Sequence, residues 1–363
     1  MSAYIELSAA RAHQIGTDYF REREARALPA EQPTVVLVGG QPGAGKSAAA
    51  AQVRKDLKSS NGYVHVDADR MRERLPLPRG SHPTSEETQN DARRLVQILR
   101  THAIDQRLNI IEEGTYRDAN AVQKFVSDRN ADGYKVEMMA VATPREESLL
   151  GVYQRYETQH LLDAPNPRFV PEKYHDEAYA GFEDTIAKVQ FDRVRVTNRA
   201  GDVLFDSRNN QGSALEALAE GRKLTDAKLA SIGRAWLSVD ELAKARNAPA
   251  AYLESVSRHS TRIQDMQSER IHSHAMKTLS ANGQALRGDP RYQQHTNQEL
   301  VKAAYFRGFH EKACEFKRSQ PDFVKYDTTV ASRSALAQLP DVKDLAGKTI
   351  ERTRTKDNDG LSL

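Results

Sequence analysis

Short apolar runs alternate with amphipathic helical stretches between residues 34 and 206. These runs are rich in β-branched residues and bounded by turn-forming residues, which predicts strands at 34–39, 63–67, 108–112, 134–143, 194–197 and 203–205. Because helical stretches separate the first four strands, we predict an α/β fold, a mostly parallel sheet with helices on both faces. The Gly-containing loop before the last strand predicts an antiparallel hairpin at the sheet edge.

The pattern also predicts helices on either side of these strands. Residues 3–27 form a charged helical pattern that we expect to pack on the sheet. Thr143, Pro144 and Glu146 carry the signals of a helix start, with Thr143 as the N-cap and Glu146 closing a capping box. Beyond residue 213 the chain is polar and helix-favouring, with helices predicted at 214–223, 238–246, 250–279 and 297–317 and a break at Asn282-Gly283. We therefore predict two domains, an α/β domain at 1–212 and a mainly helical accessory region at 213–363.

Composition narrows the class of protein. The 363 residues carry a net charge of +3 and one cysteine, which excludes a disulfide-stapled scaffold. No apolar run approaches the ~20 residues that cross a bilayer, and the first residues lack a signal-peptide pattern, so we expect a cytoplasmic protein without a membrane partner. The small net charge and the lack of a recognised DNA-binding motif disfavour nucleic acid as a partner. His310 and Cys314 have a helical metal-pair spacing but lack further ligands, so zinc is not expected.

A Gly-rich loop follows the first predicted strand and matches the phosphate-binding pattern G-x-x-x-x-G-K-[ST]. It consists of Gly40, Gln41, Pro42, Gly43, Ala44, Gly45, Lys46 and Ser47. In such a loop the backbone N–H groups surround phosphate oxygens, the lysine reaches the β- and γ-phosphates and the serine can bind Mg²⁺. We therefore predict ATP and Mg²⁺ as ligands, although the loop alone leaves GTPases, ATPase motors and small-molecule kinases open.

Carboxylates end the second and third predicted strands, at the sheet edge where ligands of such folds bind. One carboxylate of the pair Asp67 and Asp69 is suited to take the proton of an acceptor hydroxyl, and either can instead cap the next helix. The third strand ends in a run that places Glu113, Thr115 and Arg117 at the same edge. Together these groups can hold a polyol or a phosphorylated acceptor.

Two arginines follow in a segment that we interpret as a lid. Arg155 lies on the predicted helix 144–162, and Arg168 lies in the loop 163–171, which contains three prolines. Guanidinium groups brought over the phosphate-binding loop would neutralise charge on a transferring phosphoryl group. Taken singly, either arginine also fits a solvated surface.

In combination these motifs resemble the zeta toxin family, P-loop kinases of bacterial toxin–antitoxin systems. The resemblance spans residues 34–206 and rests on GQPGAGKS, VDAD, EEGTYR, LLGVYQRYET, TNRAGDVLFDS and the interval between the two arginines. It implies a P-loop kinase fold and transfer of phosphate to the 3′-hydroxyl of the amino sugar in UDP-N-acetylglucosamine. It also implies a small antitoxin that covers the ATP site.

The resemblance further implies a role for each matching residue. Lys46 would bind the ATP phosphates, and Asp69 would activate the acceptor hydroxyl. The remaining roles fall to two groups, the acceptor-facing Glu113, Thr115 and Arg117 and the phosphate-clamping Arg155 and Arg168.

Two features depart from the family pattern. Met71 stands where an aromatic residue is common, and Leu75-Pro76 stands where His-Pro is common. The region after Gly212 is not required by the toxin core. A nucleotide, a dinucleotide such as NAD or a nucleic-acid end therefore stays open as the acceptor, and so does a nucleotide-gated binding module that transfers no phosphate.

Overall fold

The computed structural model describes residues 4–23, 27–58, 61–77, 87–162, 167–209 and 211–286. The chain divides into two compact units, residues 1–223 and residues 224–363. The predicted helix at 297–317, with His310 and Cys314, lies outside the described residues. No helix of the described part is both long and apolar enough to span a membrane.

A six-stranded sheet forms the centre of the described part of the first unit. Its strands are β1 (Thr34–Gly39), β2 (Val64–Val66), β3 (Ile110–Gly114), β4 (Lys135–Ala142), β5 (Arg193–Asn198) and β6 (Val203–Asp206). The strand order is β2-β3-β1-β4-β5-β6, and every pairing is parallel except β5 with β6. The predicted α/β fold and edge hairpin are confirmed. Because β3 and β4 flank β1, the carboxyl end of β1 is a topological switch point, where such sheets bind ligands.

Helices cover both faces of this sheet. The helices of this unit are α1 (Ala9–Arg23), α2 (Lys46–Lys58), α3 (Ala68–Arg72), α4 (Gln89–Asp105), α5 (Ala119–Ala131), α6 (Arg145–Leu161), α7 (Glu172–Lys188) and α8 (Ala214–Gly221). The first helix, expected to pack on the sheet, packs mainly against α4. Side chains of β1 alternate between the faces, so that Val36 and Val38 pack against α2 while Leu37 joins the larger core on the other face. Burial of each such side chain stabilises the fold by about 1.5–3 kcal/mol.

The predicted N-cap of α6 is wrong. The helix begins at Arg145 after Pro144, without a side-chain capping bond. The hydroxyl of Thr143 is fully buried and donates instead to the carbonyl oxygen of Ala44, at 2.8 Å. A buried carbonyl oxygen of the Gly-rich loop has no access to water and so requires a donor from the protein. The first backbone N–H groups of a helix can instead bond to water.

The described part of the second unit is a helical hairpin of α9 (Asp226–Ala245) and α10 (Ala250–Leu286). Trp236 stacks on His259 with ring centroids 5.3 Å apart, and Gln267 donates to the carbonyl oxygen of Leu229 at 3.2 Å. The predicted break at Asn282-Gly283 is wrong, because α10 continues through it. One glycine costs only about 1 kcal/mol in a helix.

Candidate active site

Backbone conformation at two glycines shapes the Gly-rich loop between β1 and α2. Gly43 and Gly45 have φ angles of +74° and +95°, which side chains other than glycine rarely adopt. Space is as restrictive as conformation, because a Cβ on Gly43 would lie 2.0 Å from the carbonyl oxygen of Ser148. Helix α6 therefore packs directly against the loop.

The loop folds around the ammonium group of Lys46. Its Nζ donates to the carbonyl oxygens of Gly40 and Gln41 at 2.8 and 3.2 Å. Burial lowers the pKa of Lys46 to about 8, although the negative charges of Glu113 and Asp69 oppose this shift. The lysine, the two carboxylates and the loop thus lie within electrostatic reach of one another at the carboxyl end of β1.

Asp67 and Asp69 have different environments. Asp67 is the N-cap of α3, where its Oδ1 accepts from the backbone N–H of Asp69 at 2.8 Å, and burial raises its pKa. Asp69 is ion-paired with Arg72 at 2.8 Å and with Arg168. Burial alone would raise the pKa of Asp69, but these guanidinium groups outweigh it and hold that pKa below the usual value. The capping alternative therefore describes Asp67, and Asp69 is the carboxylate among the arginines.

The two arginines of the predicted lid, Arg155 and Arg168, both approach Asp69. Arg155 extends from α6, and its buried Nε has no hydrogen-bond partner. The pKa of Arg155 is lowered overall, mainly by burial and further by the neighbouring Arg168. The negative charge of Asp69 opposes this shift. The segment that carries Arg168 is fixed to α6, because its backbone N–H donates to Gln159 Oε1 at 2.6 Å and the Phe169 ring lies 5.0 Å from that of Tyr153.

Glu113 at the end of β3 faces the same region. Its Oε1 lies 3.0 Å from Nε2 of His65, a fully buried residue of β2. Burial would raise the pKa of Glu113, but His65 and Lys46 lower it overall. His65, Asp67 and Glu113 each offer a donor atom within 4.8 Å of the others. The carboxylate oxygens of Asp67 and Glu113 and the exposed hydroxyl of Ser47 at the start of α2 are of the kind that Mg²⁺ prefers, so these oxygen donors fit the implied ion. The imidazole nitrogen of His65 is not such a donor, and it contacts Glu113 instead.

The structure does not bring Arg117 into this group. Its guanidinium pairs with Glu177 of α7 at 2.7 Å and lies 5.9 Å from the ring centroid of Tyr174. Thr115 is half-buried just after β3. The residues that do come together are Lys46, Asp69, Glu113, Arg155 and Arg168.

A cleft of about 400 Å³ opens beside Glu113. Its polar lining comes from Gln89, Arg93, Gln97 and Arg100 of α4 together with Glu112 and Glu113 of β3. Arg100 binds Glu112 through two hydrogen bonds, at 3.0 and 2.6 Å. The cleft therefore places hydrogen-bonding groups of α4 beside Glu113.

Sequence reasoning missed three residues around the loop. His65 lies in a strand, where a lone polar residue gives no signal of function, and Arg72 shares the short charged helix α3 with Arg70. Arg199 lies in the hairpin loop and donates to the carbonyl oxygen of Gly43. Its side chain also lies 2.9 Å from the position of a Cβ on Gly45.

The part of the chain that forms this site is similar in sequence to known proteins. The family model for the zeta toxin matches residues 17–210. Toxin PezT of Streptococcus pneumoniae is 28% identical over 199 residues, which cover 52% of this chain and 78% of that protein. Toxin zeta of Enterococcus hirae is 26% identical over 193 residues, which cover 49% of this chain and 64% of that protein.

A solved chain of the PezAT chromosomal toxin–antitoxin system of Streptococcus pneumoniae has the same fold. The superposition has a TM-score of 0.57 at 23% identity, and covers 65% of this chain and 98% of that chain. The family match extends over more than half of the 363 residues. This chain belongs to the zeta toxin family.

Proposed function

We propose that the chain is an ATP-dependent kinase toxin that phosphorylates the 3′-hydroxyl of the amino sugar of UDP-N-acetylglucosamine. One observation carries the phosphotransferase part of the proposal. A carboxylate, Asp69, is set among arginines beside a phosphate-binding loop and its half-buried lysine, Lys46. A loop that only binds nucleotide requires neither the carboxylate nor the two lid arginines.

In the proposed reaction, Asp69 orients the acceptor hydroxyl and takes its proton. The acceptor oxygen forms a bond to the terminal phosphorus of ATP while the bond from that phosphorus to the ADP oxygen breaks. Lys46 and the loop N–H groups hold the phosphates, and Arg155 and Arg168 neutralise the charge of the group in transfer. Arg168 pairs with Asp69 in the described structure, so binding of the phosphate would compete for it and release the base.

Mg²⁺ would be held by Ser47 and by the carboxylates of Asp67 and Glu113, which lie close to one another. It would supply positive charge to the phosphate oxygens. His65 would then keep Glu113 oriented through their 3.0 Å contact.

The acceptor is assigned to the cleft beside Glu113. Arg93 and Gln97 of α4 line it and offer donors for hydroxyl or phosphate oxygens. Thr115 and Arg117 remain in the proposal as acceptor-facing residues. For Arg117 this role requires that its ion pair with Glu177 break so that its guanidinium can bind the acceptor.

A panel of acceptors tests the proposal directly. The purified chain is incubated with labelled ATP and Mg²⁺ and, in separate reactions, with UDP-sugars, NAD and oligonucleotides. Label on UDP-N-acetylglucosamine supports the proposal. Label only on NAD or an oligonucleotide would show that the acceptor is a different molecule, while phosphate transfer from ATP would stand. Binding of ATP without labelled product in any reaction would favour a nucleotide-gated binding module instead.

We also propose that the kinase domain, predicted at 1–212, extends to the end of the first compact unit at residue 223, and that an antitoxin silences it by covering the ATP site. Helix α8 belongs to this unit, since Leu218 is fully buried and Gly221 packs against Ala142. A chain ending at Lys223 is expected to retain transfer. Loss of partner binding or a gain of toxicity in that chain would assign a docking or restraining role to residues 224–363, and unchanged behaviour would reject both roles.

A further inference from the structure

A chain of buried hydrogen bonds runs from the phosphate-binding loop to α7. Gln41 Nε2 lies 3.0 Å from Ser148 Oγ, which lies 2.8 Å from His175 Nε2, and His175 Nδ1 lies 3.0 Å from Asp176 Oδ1. Gln41, Ser148 and His175 are all fully buried. These hydrogen bonds therefore link three elements in the interior of the domain: the loop, α6 and α7.

The positions of the hydrogens determine which group donates and which accepts in each of these hydrogen bonds. One N–H of the Gln41 amide donates to the carbonyl oxygen of Thr143 at 2.9 Å, and the other is left for Ser148 Oγ. With its Nδ1–H donated to Asp176, a neutral His175 accepts from Ser148 through Nε2. Burial lowers the pKa of His175 more than Asp176 raises it, which favours this neutral form. Each of the two links to Ser148 thus has one donor and one acceptor.

A serine, a histidine and an aspartate in this order also form the triad of many hydrolases. Ser148 has no exposed surface, and its hydroxyl further lies 3.1 Å from the carbonyl oxygen of Pro144 within its own helix. A nucleophile must reach a substrate, so this serine is not one. We therefore consider a structural role for Ser148, His175 and Asp176, in which they hold the neighbouring elements in position.

The network includes Ser148 of α6, the helix that also carries Arg155. Ser148, Gly151 and Arg155 occupy one face of α6, at spacings of three and four residues, and this face meets the loop at Gly43. At the other end, Asp176 and Glu172 of α7 both pair with Arg145 of α6, at 2.6 and 2.7 Å.

We propose that Ser148 and His175 are positioning residues that fix the phosphate-binding loop in register with the lid arginines. They act through Gln41, whose carbonyl oxygen also accepts from Lys46. Removing the Ser148 side chain leaves one N–H of the Gln41 amide and Nε2 of His175 without this partner, and removing the His175 side chain takes away the acceptor that orients the Ser148 hydroxyl toward α7. The loop then samples conformations in which Lys46, Arg155 and Arg168 no longer face the same phosphate. The effect on nucleotide rests on the proposed function, whereas the effect on the loop does not.

The test uses the full chain with Ser148→Ala, His175→Leu and His175→Gln. The glutamine variant provides an amide oxygen near the position of Nε2 and so can restore the acceptor for Ser148. Tyr134→Phe is the matched control, because it removes a buried hydroxyl bonded to the carbonyl oxygens of Ala103 and Leu108 at the opposite end of β4 from the loop. Hydrogen exchange of amides 40–47 is measured without nucleotide, and MgATP affinity, KM for ATP and kcat are measured separately.

We expect loop exchange to accelerate about tenfold in Ser148→Ala and His175→Leu, and to stay within about threefold of the original chain in His175→Gln and Tyr134→Phe. KM for ATP should rise about tenfold in the same two variants. Loop exchange that changes no more than in Tyr134→Phe, with a similar loss of thermal stability, would overturn the positioning role. An original chain that binds no MgATP, while its loop exchange still responds to these variants, would refute the kinase proposal and leave the network supported.

Discussion

Replacing Asp69 by asparagine removes the charge and basicity of the proposed base while keeping the size of its side chain. Arg72 and Arg168 can still donate to the amide oxygen, so the side chain should stay in place. The carboxylate is 48% exposed, and ion pairs of such groups are worth about 0–1 kcal/mol, so the loss of folding stability should be about 1 kcal/mol.

The kinetic effect should be much larger than the effect on stability. A positioned general base contributes about 10²–10⁴-fold in rate, which is about 3–5 kcal/mol of activation free energy. Affinity for MgATP should not fall, because the substitution removes a negative charge that lies near Lys46 and would face the phosphates. We therefore expect kcat to drop by at least about 100-fold with an unchanged or lower dissociation constant for MgATP.

Single-turnover transfer from labelled ATP and calorimetric titration with MgATP measure these two quantities separately. Asp56→Asn is the matched control, because Asp56 is 50% exposed and pairs with Arg195 at 2.9 Å outside the group around Asp69. It should lose a similar amount of stability and keep its kcat. A kcat for Asp69→Asn within tenfold of the original chain would refute the role of the base, and so would an equally large loss of ATP affinity, which would indicate a structural defect.

Three other predictions follow from the same geometry. Because burial lowers the pKa of Lys46 to about 8, affinity for MgATP should fall as the pH rises through 8, and Lys46→Arg should flatten this dependence in calorimetric titrations. Arg168→Ala removes a cation that depresses the pKa of Asp69, so that pKa should rise and the acid limb of the pH–kcat profile should move to higher pH. Gly43→Ala should abolish ATP binding and lower the thermal midpoint, since its Cβ meets the carbonyl oxygen of Ser148. Gly201→Ala, at a φ of +97° with nothing within 4 Å, should cost only about 1–2 kcal/mol of backbone strain and leave binding intact.

Local patterns in the amino-acid sequence were sufficient to predict the α/β fold, the edge hairpin and the phosphate-binding loop. These features depend on local signals, namely apolar runs of strand length, the glycines of the loop and the helix that follows it. Their spacing along the chain is enough to place the loop at the carboxyl end of β1. The predicted N-cap at Thr143 failed because its hydroxyl bonds to Ala44, a residue 99 positions away that no local pattern includes.

Long-range packing determines which carboxylate caps a helix and which one meets the arginines. Asp67 and Asp69 are two residues apart and chemically identical, and the start of α3 and the approach of Arg168 from beyond α6 distinguish them. In the same way, His65 reaches Glu113 because β2 and β3 are neighbours in the sheet, and Ser148 reaches His175 because α6 packs on α7. Contacts of this kind join residues that are distant in sequence. They are fixed by how helices and strands pack, which short-range patterns of polar and apolar residues do not encode.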